Sequence, residues 1–264
     1  MKIAVAGTGY VGLVTGVCLA HKGHQVTCVD VNEEKVAMMS RGESPIYEPG
    51  LPELMKESME SLCFTTDYRT AYRDAEVIFI GVGTPEKSDG SANLAYVYEA
   101  AKQIAQSVER DCVVVLKSTV PIGTNDKIES YIHDKQVNDV KIYVASNPEF
   151  LSQGTAVRDT LCASRIVIGV TEDYPAEILK KVYENFDAPK LVVARRSAEM
   201  IKYASNDFLA LKISYINEVA NLCETVGANI EEVTAGMGFD ERIGKKFLRA
   251  GIGYGGSCFP KDTK

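Results

Sequence analysis

Lys2-Ile3-Ala4-Val5-Ala6-Gly7-Thr8-Gly9-Tyr10-Val11-Gly12 sets a short apolar run directly against the spacing Gly-x-Gly-x-x-Gly. Residues 2–6 have the length and composition of a buried strand, and the apolar run from residue 10 to about residue 21 continues as a helix. A second strand is expected over 25–30, placing Asp30 at its end, about 20 residues beyond the glycines as a dinucleotide fold requires. In that arrangement Gly7 makes the tight turn, Gly9 admits a pyrophosphate to the helix N-terminus, and Gly12 lets helix and strand pack closely. Asp30 accepts hydrogen bonds from the adenosine ribose and repels a 2′-phosphate. No cation stands beside it in Val31-Asn32, so the expected cofactor is NAD rather than NADP.

The alternation continues outward from this unit. Asn32 reads as the N-cap of a helix reaching about residue 41, and Pro45, Pro49, Gly50 and Pro52 then interrupt the pattern. Strands are expected over 63–65, 77–81, 112–117, 141–145, 165–170 and 190–194, with helices over 67–73, 93–108 and 176–186 and another after Thr124. Eight strands interleaved with helices predict an α/β fold, a Rossmann-like doubly wound parallel sheet. Ligands in such sheets lie beyond the carboxyl ends of the strands. That placement selects Gly83, Thr84, Ser118, Thr119, Asn147 and Glu149 as site candidates.

Composition narrows the function classes. A net charge of −7 and a pI near 5.2, with no dense Lys/Arg run, argue against a nucleic-acid surface. The N-terminal apolar run is too short for a signal peptide, and no stretch approaches the roughly 20 apolar residues of a membrane span, so the expected location is cytoplasmic. Seven cysteines without a CxxC pair, and three histidines, make a disulfide framework or a zinc site improbable, and no metal is expected. Cys18, Cys28, Cys63, Cys112, Cys162 and Cys223 lie in apolar periodic segments and are expected to be small core residues.

From about residue 197 to residue 226 a single helical pattern runs without Gly or Pro. A helix of about 30 residues spans roughly 45 Å, too long for one small domain to cover. It is expected to connect two domains, 1–196 and a helical region 197–264, and to pair with a second copy in a homodimer. Lys202 and Asn206, at i and i+4, project from the same face. Beyond the basic stretch 240–249, Gly251, Gly253, Gly255 and Gly256 surround Cys258, with Lys261 near enough to favour the thiolate and Asp262 four residues on as a base. The sequence stops six residues past Cys258, and a further C-terminal domain is expected.

These residues resemble the N-terminal and central parts of the UDP-glucose/GDP-mannose dehydrogenase family, in particular its UDP-glucose 6-dehydrogenases of the bacterial short form. The resemblance covers nearly the whole chain. It rests on 7–13, on Ser44-Pro45-Ile46-Tyr47-Glu48-Pro49-Gly50-Leu51, on 82–85, on 117–124 and on Asn147-Pro148-Glu149-Phe150-Leu151, and C-terminally on 197–206 and 255–262. The resemblance implies a four-electron oxidation of UDP-glucose at C6 by two NAD+, with Cys258 carrying a thiohemiacetal and then a thioester. It implies roles for Lys202 and Asn206 in oxyanion stabilisation, for Asp262 with Thr119 as the base and its water, and for Glu149 in acid/base work. Tyr10, Val11 and Lys35 join Gly7, Gly9, Gly12, Asp30, Gly83, Thr84, Ser118 and Thr119 as cofactor residues. Phe150, Leu151, Phe247, Leu248, Arg249, Tyr254 and Gly255 would line the sugar-nucleotide pocket with Glu149, Lys202 and Asn206, and Arg242 would reach the neighbouring subunit's sugar. Gln153 stands where many members carry a glutamate, which puts the hydrolytic step in question. Rival expectations are a dehydrogenase of GDP-mannose or a UDP-N-acetyl sugar, a single-step 3-hydroxyacid dehydrogenase that needs no thiol, and an NAD-binding module without turnover.

Overall fold

A computed structural model describes residues 1–255 and 259–262 of the chain. The strands are β1 (Lys2–Ala6), β2 (Gln25–Val29), β3 (Leu62–Thr65), β4 (Val77–Ile80), β5 (Cys112–Leu116), β6 (Ile142–Ser146), β7 (Ile166–Val170) and β8 (Lys190–Ala194). The helices are α1 (Tyr10–His21), α2 (Glu33–Ser40), α3 (Leu51–Glu57), α4 (Tyr68–Arg73), α5 (Ala95–Ser107), α6 (Thr124–Lys135), α7 (Ala156–Leu161), α8 (Asp173–Val182), α9 (Arg195–Val226), α10 (Ile230–Gly238) and the four-residue α11 (Phe259–Asp262). The chain divides into two compact units, Met1–Pro85 with Ala92–Met200, and Glu86–Ser91 with Ile201–Lys264.

The first unit is built on a sheet ordered β3-β2-β1-β4-β5-β6-β7-β8. Its central strands are buried on both faces, and their residues alternate between two apolar layers. Ile3, Val5, Phe79, Val113 and Val115 pack into one layer, while Ala4, Ala6, Ile78, Ile80, Val114 and Leu116 pack into the other. Asn32, Asp67 and Asn229 start α2, α4 and α10 by accepting backbone N–H bonds through their side chains.

One junction departs from the expected all-parallel sheet. β6 meets β7 antiparallel, through the pair Ser146 and Gly169, and β7 and β8 then run parallel to each other. The link between them, 147–165, holds the six-residue α7, and β7 enters the sheet from the end where β6 left. Gly169 sits where a Cβ would lie 2.5 Å from the Ala198 Cβ and 3.0 Å from the Ser146 Cβ.

Two of the cysteine expectations are corrected. Cys18, Cys28, Cys112 and Cys223 are buried, but Cys63 and Cys162 are exposed. Cys63 occupies an outward position of the edge strand β3, and Cys162 follows the end of the short α7. Burial pushes the Cys18 and Cys112 thiols up to about 12, which removes them as nucleophiles near neutral pH.

Helix α9 runs 32 residues, close to the length read from periodicity. Ala198, Glu199, Lys202, Asn206, Ala210, Ile216 and Cys223 are buried, whereas Met200, Phe208, Leu211, Tyr215, Leu222 and Val226 are exposed. At 100° per residue these sets fall on opposite faces. Among the described residues, no helix is long and apolar enough to cross a membrane, and no group of three or more His, Cys, Asp or Glu is placed to hold a metal.

Candidate functional site

The first unit presents a dinucleotide-shaped corner where β1 gives way to α1. Gly7 has φ of 91°, a conformation that favours glycine, and its N–H donates to the Val29 carbonyl at 2.8 Å. A Cβ on Gly12 would lie 2.0 Å from the Gly7 carbonyl oxygen, so helix and turn meet at backbone contact. A Cβ on Gly9 would meet nothing within 4 Å. Gly9 is also the N-cap of α1, and no side chain caps it, which leaves the first N–H groups directed at open space. Tyr10 and Val11, the first residues of α1, are half-buried.

Asp30 faces this turn. Its carboxylate accepts from the Thr8 N–H at 3.0 Å, from the Thr8 hydroxyl at 2.5 Å and from the Asn32 N–H at 3.0 Å. Burial alone would raise the carboxyl pKa, but these hydrogen bonds and the Lys35 charge hold it below its ordinary value. Beside it lies a cavity of about 220 Å³ lined by Gly7, Gly9, Asp30, Val82, Tyr96 and Gln103, among others. Open glycine backbone at a helix N-terminus, an ionised acid at the end of β2 and an adjoining cavity fit an adenine dinucleotide.

The strand-end candidates divide by what they already hold. Gly83 lines the cavity, and a Cβ there would meet nothing within 4 Å. The Thr84 hydroxyl donates to the Thr119 carbonyl at 3.0 Å, tying the loops after β4 and β5. The buried Ser118 hydroxyl donates to the Val82 carbonyl at 2.6 Å. Asn147 is committed to the fold: its Oδ1 accepts from Lys117 Nζ and the Tyr183 hydroxyl, and its Nδ2 donates to the Val167 carbonyl. Glu149 is buried and accepts the Leu151 N–H at 2.8 Å. The Arg165 guanidinium stacks on Phe150, 3.9 Å from the ring centroid. Leu151 packs against the apolar core, and Gln153 is exposed.

The second unit gathers the polar face of α9. Lys202 and Asn206 are both buried, and Asn206 Nδ2 donates to Asp262 Oδ2 at 2.7 Å. Burial, and then the charge of Asp262, raise the carboxyl of neighbouring Asp207. Lys212 Nζ donates to the Ile243 carbonyl, and Asn217 Oδ1 accepts the Gly251 N–H at 2.9 Å. One helix thus bonds to the chain at Ile243 and Gly251 before position 258 and at Asp262 after it. Arg242 is exposed, and its guanidinium donates to the Asp240 carboxylate. Phe247 has φ of 64°, Leu248 is buried, Arg249 and Gly255 are exposed, and Tyr254 meets Phe259 edge-on at 5.9 Å. Cys258 lies outside the described residues.

Several residues of these sites escaped the sequence reading. Gly81, where a Cβ would lie 2.8 Å from the Gly12 Cα, is the other half of the close approach made by Gly12. Tyr96 and the hydrogen-bonded pair Glu99 and Gln103 border the cavity; their i, i+4 spacing was visible, but nothing in it separates a cavity wall from a solvated face.

Fold and geometry together define a dinucleotide-binding protein of the Rossmann class. Residues 1–187 match the NAD binding domain of the UDP-glucose/GDP-mannose dehydrogenase family, and residues 196–264 match its central domain. The chain belongs to that family. It is 57% identical over 265 residues to UDP-glucose 6-dehydrogenase YwqF of Bacillus subtilis (strain 168), covering 100% of this chain and 60% of that protein. Among solved structures, a UDP-glucose dehydrogenase from the archaeon Pyrobaculum islandicum superposes with a TM-score of 0.96 at 44% identity, over 99% of this chain and 62% of that one. GDP-mannose dehydrogenase from Pseudomonas aeruginosa gives 0.87 at 36% identity, over 100% and 63%. The chain therefore spans about three-fifths of the length of these relatives.

Proposed function

We propose that this chain carries the cofactor-binding and catalytic residues of an NAD-dependent UDP-glucose 6-dehydrogenase, converting UDP-glucose to UDP-glucuronate. The reading rests on one observation above the others: Lys202 and Asn206 are buried one turn apart on α9, with Asp262 hydrogen-bonded to Asn206. A buried ammonium and amide with a carboxylate alongside suit an alcohol that must lose a proton and pass through an oxyanion. The 57% identity to a protein of that name supports the substrate.

Bound NAD+ supplies the hydride acceptor for each oxidation. Asp262 takes the C6 hydroxyl proton, and Lys202 with the second N–H of Asn206 stabilises the developing oxygen charge. The Cys258 thiolate then adds to the aldehyde carbon. Loss of a second hydride from that tetrahedral adduct leaves a thioester, and attack by water releases the carboxylate and restores the thiolate. Asp262, with Thr119 holding a water, is assigned as the base, and Glu149 is assigned to acid/base or water-ordering work, which Gln153 cannot share because it does not titrate. Phe150, Leu151, Phe247, Leu248, Arg249, Tyr254 and Gly255 are assigned to the sugar nucleotide.

The exposed apolar stripe Phe208, Leu211, Tyr215, Leu222 and Val226 supports a homodimer through α9, with Arg242 offered to the partner's substrate. A functional boundary is assigned at 196/197, with the cofactor bound before it and the nucleophile after it.

The test is the ratio of NADH released to UDP-glucose consumed. Two per sugar, and none of the acid from Cys258→Ala, are expected. One per sugar would remove the thioester step. Turnover with GDP-mannose or a UDP-N-acetyl sugar in place of UDP-glucose would reassign the substrate.

A further inference from the structure

Glu48 is a carboxylate only 2% exposed, in the loop before α3. Three donors from two separate parts of the first unit, the start of α1 and the segment 154–156, converge on it. The Tyr10 hydroxyl donates to its Oε2, the Gly154 N–H reaches the same oxygen at 2.8 Å, and the Ala156 N–H reaches Oε1 at 2.7 Å. The Gly154 N–H also lies 3.0 Å from the Tyr10 hydroxyl oxygen. Tyr10 is the first residue of α1, whose uncapped N-terminus is the pyrophosphate position. Gly154 and Ala156 close the loop that begins at Asn147 and carries Glu149, Phe150 and Leu151.

A buried polar side chain is costly unless donors replace the water it loses, and the hydrogen bonds that do so are directional. Displacement of the first turn of α1 therefore reaches the 147–156 loop through Glu48, which bonds both Tyr10 and the loop backbone, alongside the direct contact of Gly154 with the Tyr10 hydroxyl.

We infer that Glu48 is a positioning residue that couples dinucleotide binding at α1 to the order of the 147–156 loop. The loop's part in turnover rests on the function proposed above; the coupling itself does not. By linkage, a dinucleotide that fixes the first turn of α1 also fixes the loop, and an ordered loop in turn strengthens dinucleotide binding.

The experiment is amide hydrogen exchange over residues 150–158, with and without NAD, on the full chain and on Glu48→Gln and Tyr10→Phe. Glutamine keeps the shape but turns one acceptor into a donor, and phenylalanine removes one hydroxyl. In the unaltered chain NAD is expected to slow exchange of Gly154 and Ala156 by about tenfold, within the usual range of coupling between sites. Both variants are expected to bind NAD more weakly and, at NAD concentrations that a binding titration shows to saturate each, to lose that slowing. Persistence of the slowing in either folded variant, or its absence from the unaltered chain while NAD is bound, would overturn the inference. If Glu48→Gln does not fold, Tyr10→Phe decides. Because the readout needs no sugar nucleotide, failure of UDP-glucose oxidation leaves it intact and bears only on the proposed function.

Discussion

At Asp30 a carboxylate is held by the backbone and hydroxyl of Thr8, in the glycine turn 22 residues earlier, and by the Asn32 N–H. At Asp262 a carboxylate is held by the side-chain amide of Asn206, 56 residues earlier in the chain. The first arrangement follows from glycine spacing, because the glycines dictate where backbone N–H groups point. The second depends on a helix delivering a polar face to a distant segment, and any change in packing alters it. The dinucleotide corner should accordingly respond to added volume, and the α9 cluster to removed charge.

Gly12→Ala gives the largest effect on that view. The new Cβ would overlap the Gly7 carbonyl oxygen, and relief requires parting α1 from β1, at a cost of about 3 kcal/mol or more. Thermal unfolding should show a fall in Tm, with NAD binding lost alongside it. Lys202→Ala leaves the glycines untouched and is expected to lower kcat by about 10²- to 10³-fold, the usual loss for one oxyanion donor, with the NAD dissociation constant unchanged. Steady-state kinetics beside a binding titration separate the two, and equal losses in both would dissolve the contrast between the regions.

Gly9→Ala sharpens the comparison within the corner itself. Its Cβ would meet no protein atom, so Tm should hold while NAD binding weakens by about tenfold, or 1.4 kcal/mol, because the methyl occupies the pyrophosphate approach. The smallest effect is expected from acid. Asp30 has a pKa below its ordinary value in the folded chain. Its stabilising contribution is therefore complete above about pH 4, the unfolded value, and is lost as pH falls through the lower folded one. Urea midpoints of the unaltered chain and Asp30→Asn should differ by a constant amount at neutral pH and converge in acid.

Much of this is legible in the sequence. The order of strands and helices, the N-cap at Asn32, the Gly7-Gly9-Gly12 turn and a helix close to the length of α9 all depend on residues close in sequence. The antiparallel β6 and β7 junction was missed because the direction of a strand is set by where the 147–165 connection packs, which no local period records. The exposure of Cys63 was missed because the edge of a sheet looks apolar in sequence until its neighbours are known, and that of Cys162 because the short α7 ends before it.

The sequence by itself determined where backbone must turn, which residues repeat at helical or strand spacing, and which carry chemistry. Its signals are local and governed by sterics and period. Only the tertiary structure decided that Glu48 would gather Tyr10, Gly154 and Ala156, that Asn147 would be consumed by Lys117 and Tyr183, and that Asn206 would meet Asp262. A buried polar group must find partners wherever the fold brings them, and that search runs across distances no spacing rule records.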